Sequence, residues 1–198
     1  MILGITGGTG CGKTTLLNII RAHGGLVLDC DDIYHRLLQT DTEMLSAIKD
    51  RFPGAFEDGS LNRKMLGAIV FADPAALTAL NEITHGAVKK EVIRQLADWE
   101  GLAAIDAIAL FEGGLAELCD ITIAVTAPLE DRVVRLMARD GISGEYARSR
   151  IAAQKSESWF RQKCDFVLEN NADAESFSRK CIAFLFEKGI IDARCPNT

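Results

Sequence analysis

The feature that most constrains this chain is the octet Gly7-Gly8-Thr9-Gly10-Cys11-Gly12-Lys13-Thr14, which satisfies the spacing GxxxxGK[ST]. It follows a short apolar run, Ile2 to Thr6, and precedes a segment from Lys13 to about His23 with Leu16, Leu17 and Ile20 at helical spacing. Strand, glycine loop and helix in that order form a cradle. The glycines let successive N–H groups turn inward around phosphate oxygens at a helix N-terminus, Lys13 neutralises charge, and Thr14 offers a hydroxyl to a divalent cation. Gly8-Thr9-Gly10 also begins GxGxxG, but Lys13 stands where the third glycine belongs. A dinucleotide site using Asp31 as its ribose acid is therefore disfavoured. Cys11 inside the loop reads as a small residue before it reads as a reactive thiol.

A second apolar run, Leu26-Val27-Leu28-Asp29, is too short for a helix and suits a buried parallel strand, completing a βαβ unit. From Ile33 to about Trp99 the period turns helical, with turn signals at Pro53-Gly54 and Asp58-Gly59, and no strand is predicted there. Its clearest helix starts with Asp73 as N-cap and Pro74 at the first helical position, and aligns Leu77, Leu80, Ile83, Val88, Val92 and Leu96 along one side. Strand signals return at Ala103 to Ala107, Ile121 to Val125 and Phe166 to Glu169. A helix after Leu129 sets Leu129, Val133 and Leu136 on one face and Arg132, Arg135 and Arg139 on another. Ser143 caps a further helix, and Phe177, Cys181 and Leu185 stripe the last one. The tail from Arg194 to Thr198 is expected to be loose.

Charge narrows the partners: 22 Lys and Arg against 28 Asp and Glu leave a net charge of -6, which argues against a nucleic-acid backbone. No run of about 18 apolar residues occurs and no secretory leader is recognisable, so a cytoplasmic location without membrane attachment is expected. The six cysteines have no CxxC pair and are expected to be reduced thiols.

A phosphate cradle alone does not say whether water or a hydroxyl attacks the γ-phosphorus. The acids decide that. Asp29-Cys30-Asp31 ends the second strand, where parallel sheets place ligands, and strand alternation would point Asp29 and Asp31 the same way. One of them could accept the proton of an attacking hydroxyl, or both could cap the following helix. Asp106 and Glu112, near a strand end by the loop, stay open between metal-ordering and structural roles.

The ordered blocks TGGTGCGKTT, LDCDDI, DGSLNR, VFADP, ITH, LFEGGL, MARDG, RIAAQ and CDFVLENN resemble the dephospho-coenzyme A kinase family over nearly the whole chain. The resemblance implies a three-layer α/β phosphate-loop fold of nucleoside-kinase type, with a parallel five-stranded sheet, a helical insertion and a helical lid. Residues 1–32, 101–139 and 164–190 would form the nucleotide-binding core, 33–100 the insertion that takes the coenzyme substrate, and 140–163 the lid. It implies transfer of the ATP γ-phosphoryl to the ribose 3'-hydroxyl of dephospho-coenzyme A, with Mg²⁺, by a monomer or small homo-oligomer.

By matching position, Asp31 is the expected base, with Lys13 and Arg139 stabilising the phosphates. Gly8, Gly10, Cys11, Gly12, Lys13, Thr14, Thr15, Arg135 and Asn170 fall on the nucleotide side, Thr14 on the metal, and Arg63 and His85 toward the acceptor. Gly86, Ala109 and Ala172 depart from the family pattern. Two alternatives remain: another small-molecule or nucleoside kinase, and a nucleotide-dependent switch. The switch is weakened for GTP by the lack of any Asn-Lys-x-Asp sequence.

Overall fold

The computed structural model describes residues 1–192. The expectation for Arg194 to Thr198, and Cys195 with it, lies outside them. The chain opens with β1 (Ile2–Thr6), α1 (Lys13–Ala22), β2 (Leu26–Asp29), α2 (Cys30–Thr40) and α3 (Thr42–Arg51). A short hairpin, β3 (Phe56–Glu57) and β4 (Ser60–Leu61), leads to α4 (Arg63–Ala72) and the long α5 (Pro74–Ala97). Then come β5 (Ala103–Asp106), β6 (Ile121–Thr126), α6 (Leu129–Asp140), α7 (Gly144–Ala152), α8 (Glu157–Lys163), β7 (Phe166–Glu169) and α9 (Ala174–Glu187).

Among the described residues the main sheet has five strands in the order β2-β5-β1-β6-β7, and every neighbouring pair is parallel. β1 sits in the middle, and the chain leaves it toward β2 on one side and later toward β6 and β7 on the other. The loop after β1 therefore opens at the crevice where the order reverses. Each face buries its own apolar cluster. Leu3, Ile5, Leu16, Ile20, Val125, Phe177, Cys181 and Leu185 fill the side covered by α1 and α9. Leu28, Ile33, Ile48, Leu80, Val88, Val92, Ile105 and Leu110 fill the other. α6 and α7 carry a small separate cluster of Val133, Leu136, Ala147 and Ile151.

The hairpin corrects the expectation that the insertion holds no strand. Two-residue strands are too short to show alternation, and the signal lay in the turn: Asp58 (φ 48) and Gly59 (φ 82) both take the left-handed conformation of a tight two-residue hairpin. Leu77, expected on the buried stripe of α5, is 36% exposed, while Ala76 and Thr84 are buried; Leu129 likewise stands out from α6 at 49%. The boundaries expected at 32 and 139 fall within α2 and α6. Cys11, Cys30, Cys119, Cys164 and Cys181 are free thiols. No described helix is long and apolar enough to cross a membrane.

Candidate active site

The loop from Gly7 to Gly12 is shaped from outside by three side chains. Arg132 Nε donates to Thr9 O (2.9 Å), Arg135 Nη1 to Gly10 O (3.2 Å) and Asn170 Nδ2 to Cys11 O (2.9 Å). No peptide bond among the described residues is cis, and in a planar trans peptide a carbonyl and the next residue's N–H point in opposite directions. Gripping three successive carbonyls from behind thus turns the N–H groups of Gly10, Cys11 and Gly12 the other way. Cys11 N–H is taken by Gly8 O (3.3 Å), whereas those of Gly10 and Gly12 meet no protein acceptor among the described residues. Gly12 (φ 96) caps α1 without any side-chain bond, so the first N–H groups of that helix are also open. Lys13 Nζ rests on Gly7 O at 3.0 Å.

These donors line a cavity of about 410 Å³ that Asp29, Asp31, Asp106, Arg135 and Arg139 also border. Asp31 is not at a strand end, as alternation had it. Helix α2 already begins at Cys30, and Asp29 Oδ1 accepts the N–H groups of Asp31 (2.9 Å) and Asp32 (3.1 Å). Asp29 thus caps the helix, satisfying two orphan donors, and Asp31 stands in its first turn at a solvent-open rim. Partial burial and the neighbouring Asp29 raise the Asp31 carboxyl above its usual range, with Lys13 and His35 pulling the other way.

Asp106, at the end of β5, is pushed up to about 6, first by burial and then by Asp29 and Asp31, against the pull of Lys13. Its Oδ1 is buried without a hydrogen-bond partner. No three His, Cys, Asp or Glu side chains among the described residues form a ready-made metal cage. A nucleotide-borne Mg²⁺ needs only one or two protein ligands beside phosphates and water. Thr14 and the orphaned oxygen of Asp106, on one cavity, fit that modest requirement.

Asp31 and Ile108 also border a second cavity of about 230 Å³, walled by Tyr34, Leu80, Thr84, His85 and Val88 of α2 and α5. The structure therefore brings His85 and Asp31 to one cavity and Lys13 and Asp31 to the adjoining one. Arg63 lies apart, on a depression of about 550 Å³ shared with Lys49, Phe56 and Leu61; its charge reaches Tyr34. Arg139 faces the phosphate cavity while both its Nε and Nη2 bond Asp140 (2.6 and 3.0 Å), which Arg150 also holds (2.7 Å). Asn170 is buried beneath the loop and reaches the cavity through Cys11 O. Thr15 donates its N–H to Gly12 O (3.1 Å), one step along α1 from the cavity wall. Glu112 lies 3.5 Å from Lys155.

Sequence reasoning missed Gln154. Its Oε1 accepts the N–H of Thr9 (2.9 Å) and of Arg132 (3.0 Å). The block RIAAQ was visible, but nothing in one dimension places its last residue against the loop.

A family model described as CoaE, dephospho-CoA kinase, matches residues 1–176. A relative named dephospho-CoA kinase from Anaeromyxobacter dehalogenans is 37% identical over 203 aligned positions, covering 99% of this chain and 96% of its own. The crystal structure of TT1252 from Thermus thermophilus superposes with a TM-score of 0.80 at 38% identity, covering 94% of this chain and 97% of its own. Shikimate kinase from Acinetobacter baumannii, in complex with shikimate, shares the fold at a TM-score of 0.54 and 15% identity, covering 94% and 93%.

Proposed function

The chain belongs to the dephospho-CoA kinase family, and from that premise we propose that it moves the γ-phosphoryl group of ATP to the ribose 3'-hydroxyl of dephospho-coenzyme A with Asp31 as general base. The observation that carries this reading is the position of Asp31 on the rim common to both cavities, one walled by the phosphate loop and the other by His85. A hydroxyl entering from the second cavity meets a carboxylate before it meets the phosphates.

ATP seats its β and γ phosphates on the open N–H groups of Gly10, Gly12, Lys13 and Thr14, in the field of the α1 N-terminus. Lys13 exchanges Gly7 O for a phosphate oxygen. Asp31 takes the proton as the acceptor oxygen attacks, and a carboxyl raised above its usual range is the stronger base for it. Arg139 and Arg135, on the cavity wall, bring positive charge to the peripheral oxygens, over which the loose transition state spreads its negative charge. Thr14, with Asp106 behind it, would hold Mg²⁺. That ion would supply positive charge to the phosphates.

On the same reading residues 33–100 receive the acceptor, with His85 in the cavity beside Asp31 and Arg63 farther out toward its remaining groups. Residues 140–163 act as the lid, which limits water attack when closed. Asn170 serves the nucleotide by steadying Cys11 O. A cytoplasmic enzyme fits the free thiols. The test is ADP release with ATP, Mg²⁺ and dephospho-coenzyme A against the same mixture without the acceptor. Release that does not depend on the acceptor rules the reading out.

A further inference from the structure

The block RIAAQ ends in Gln154, which the proposed reaction does not use and which joins Arg132 of α6 to the phosphate loop. Gln154 Oε1 accepts from Thr9 N–H at 2.9 Å and from Arg132 Nη2 at 3.0 Å, while Arg132 Nε donates to Thr9 O at 2.9 Å. One residue of the loop is thereby held at both its N–H and its carbonyl by two side chains that also hold each other. Thr9 is buried, so neither group finds water as a ready substitute.

We propose that Gln154 is a positioning residue for nucleotide binding: it fixes Arg132 against Thr9, and the gripped Thr9 carbonyl aims the N–H of Gly10 into the phosphate cavity. The aim follows from the trans peptide between Thr9 and Gly10, whose carbonyl and N–H must oppose. Gly8 belongs to the same device. A Cβ added there would overlap Arg132 Nη2 and stand 3.0 Å from Gln154 Oε1. Gly8 has no left-handed backbone to protect, so its smallness serves the passage of the guanidinium. The loop's shape and the placement of α6–α7 are coupled through this cluster, alongside the bond from Arg135 to Gly10 O.

This inference rests on the phosphate-loop reading, and the experiment separates the two. ADP binding by calorimetry, steady-state kinetics and thermal unfolding are measured on the full chain and on Gln154→Leu, Gln154→Glu and Gly8→Ala. Gln154→Leu removes the acceptor oxygen at similar volume; it weakens ADP and raises KM for ATP about tenfold, with KM for dephospho-coenzyme A changed less than about twofold. Gln154→Glu keeps that oxygen and recovers ADP affinity to within about threefold of the parent. Gly8→Ala displaces Arg132 and gives a similar loss, and the double variant Gly8→Ala with Gln154→Leu is little worse than either alone. ADP affinity in Gln154→Leu within about twofold of the parent overturns the proposal. So do losses falling equally on both substrates in step with a lower Tm. A parent protein that binds ADP but releases none in an acceptor-dependent way removes the kinase reading instead, and leaves the calorimetric arm standing.

Discussion

Asp106 is the register partner of Asp29 across the parallel pair β5 and β2, which sets two carboxylates side by side at the sheet edge of the phosphate cavity. Registered partners on adjacent strands share a face, so their charges repel through a partly dry site. That arrangement is unfavourable for the empty protein and is relieved by cations. Burial first, and then this repulsion, push the unpartnered Asp106 carboxyl up to about 6.

Asp106→Asn should therefore stabilise the fold while harming the reaction. The sign follows from linkage: the folded state holds the Asp106 proton more tightly than the unfolded chain, so ionisation above about pH 6 disfavours folding and protonation below it removes the penalty. The variant gains up to about 3 kcal/mol at pH 7.5 and progressively less toward pH 4. Urea unfolding at both pH values checks this. A gain that does not shrink on acidification assigns it to packing.

Asp31→Asn keeps the shape and the N–H contact to Asp29 but removes the base; kcat falls by about 10² to 10⁴ while ADP affinity stays within about threefold. Because the Asp31 carboxyl is raised, the acid limb of the kcat/KM profile lies above the ordinary carboxylate range and activity climbs with pH through it. The variant's residual activity loses that limb. Turnover near the parent's would take Asp31 out of the role.

Much of this was legible in the chain. Ile2 to Thr6, Leu26 to Asp29 and Phe166 to Glu169 read as strands because short apolar runs end in glycine, acid or asparagine, and the loop announced itself by lysine and threonine at fixed offsets. Asp31 is visible as an acid beside the cradle, yet its geometry is not: Asp29 caps α2, which begins at Cys30, where alternation carries the strand on to Asp31, a competition between a cap and a strand that local pattern does not decide. The β3–β4 hairpin hid because its strands have two residues each. The contact of Gln154 with Thr9 spans 145 positions and exists only through the packing of α6 on α7.

Lys13→Ala tests the cradle with the Asp31 side chain kept in place, although it removes the downward pull of Lys13 on that carboxyl. Nζ now bonds only Gly7 O, an acceptor it can exchange for a phosphate oxygen, and the N–H donors of the loop survive its loss. We expect kcat/KM for ATP to fall at least about 10²-fold, with thermal stability little changed. Unchanged kcat/KM for ATP contradicts a phosphate role for this ammonium.

His85→Ala should act on the other substrate. His85 and Asp31 border the same cavity, but His85 does not line the phosphate one. KM for dephospho-coenzyme A rises about tenfold, and KM for ATP at saturating acceptor stays within about twofold. A rise confined to the ATP KM would reverse the assignment of the two cavities.

Arg139 carries the last prediction. It faces the phosphate cavity while two of its nitrogens bond Asp140, whose carboxyl Arg139 and Arg150 together draw down to about 2. The pair is solvent-exposed, and exposed pairs contribute little, so Asp140 does not lock the guanidinium and a phosphate can take its place. The planar fork that binds the carboxylate through two nitrogens suits two phosphate oxygens equally well, which a lysine ammonium cannot match. Arg139→Ala therefore lowers kcat by about 10- to 100-fold, and Arg139→Lys recovers only a small part of it. KM for dephospho-coenzyme A is unaffected in both. The check is kcat for the two variants with both substrates saturating. Full recovery by lysine would reduce the role to point charge, and an alanine variant within about threefold of the parent would remove Arg139 from the reaction.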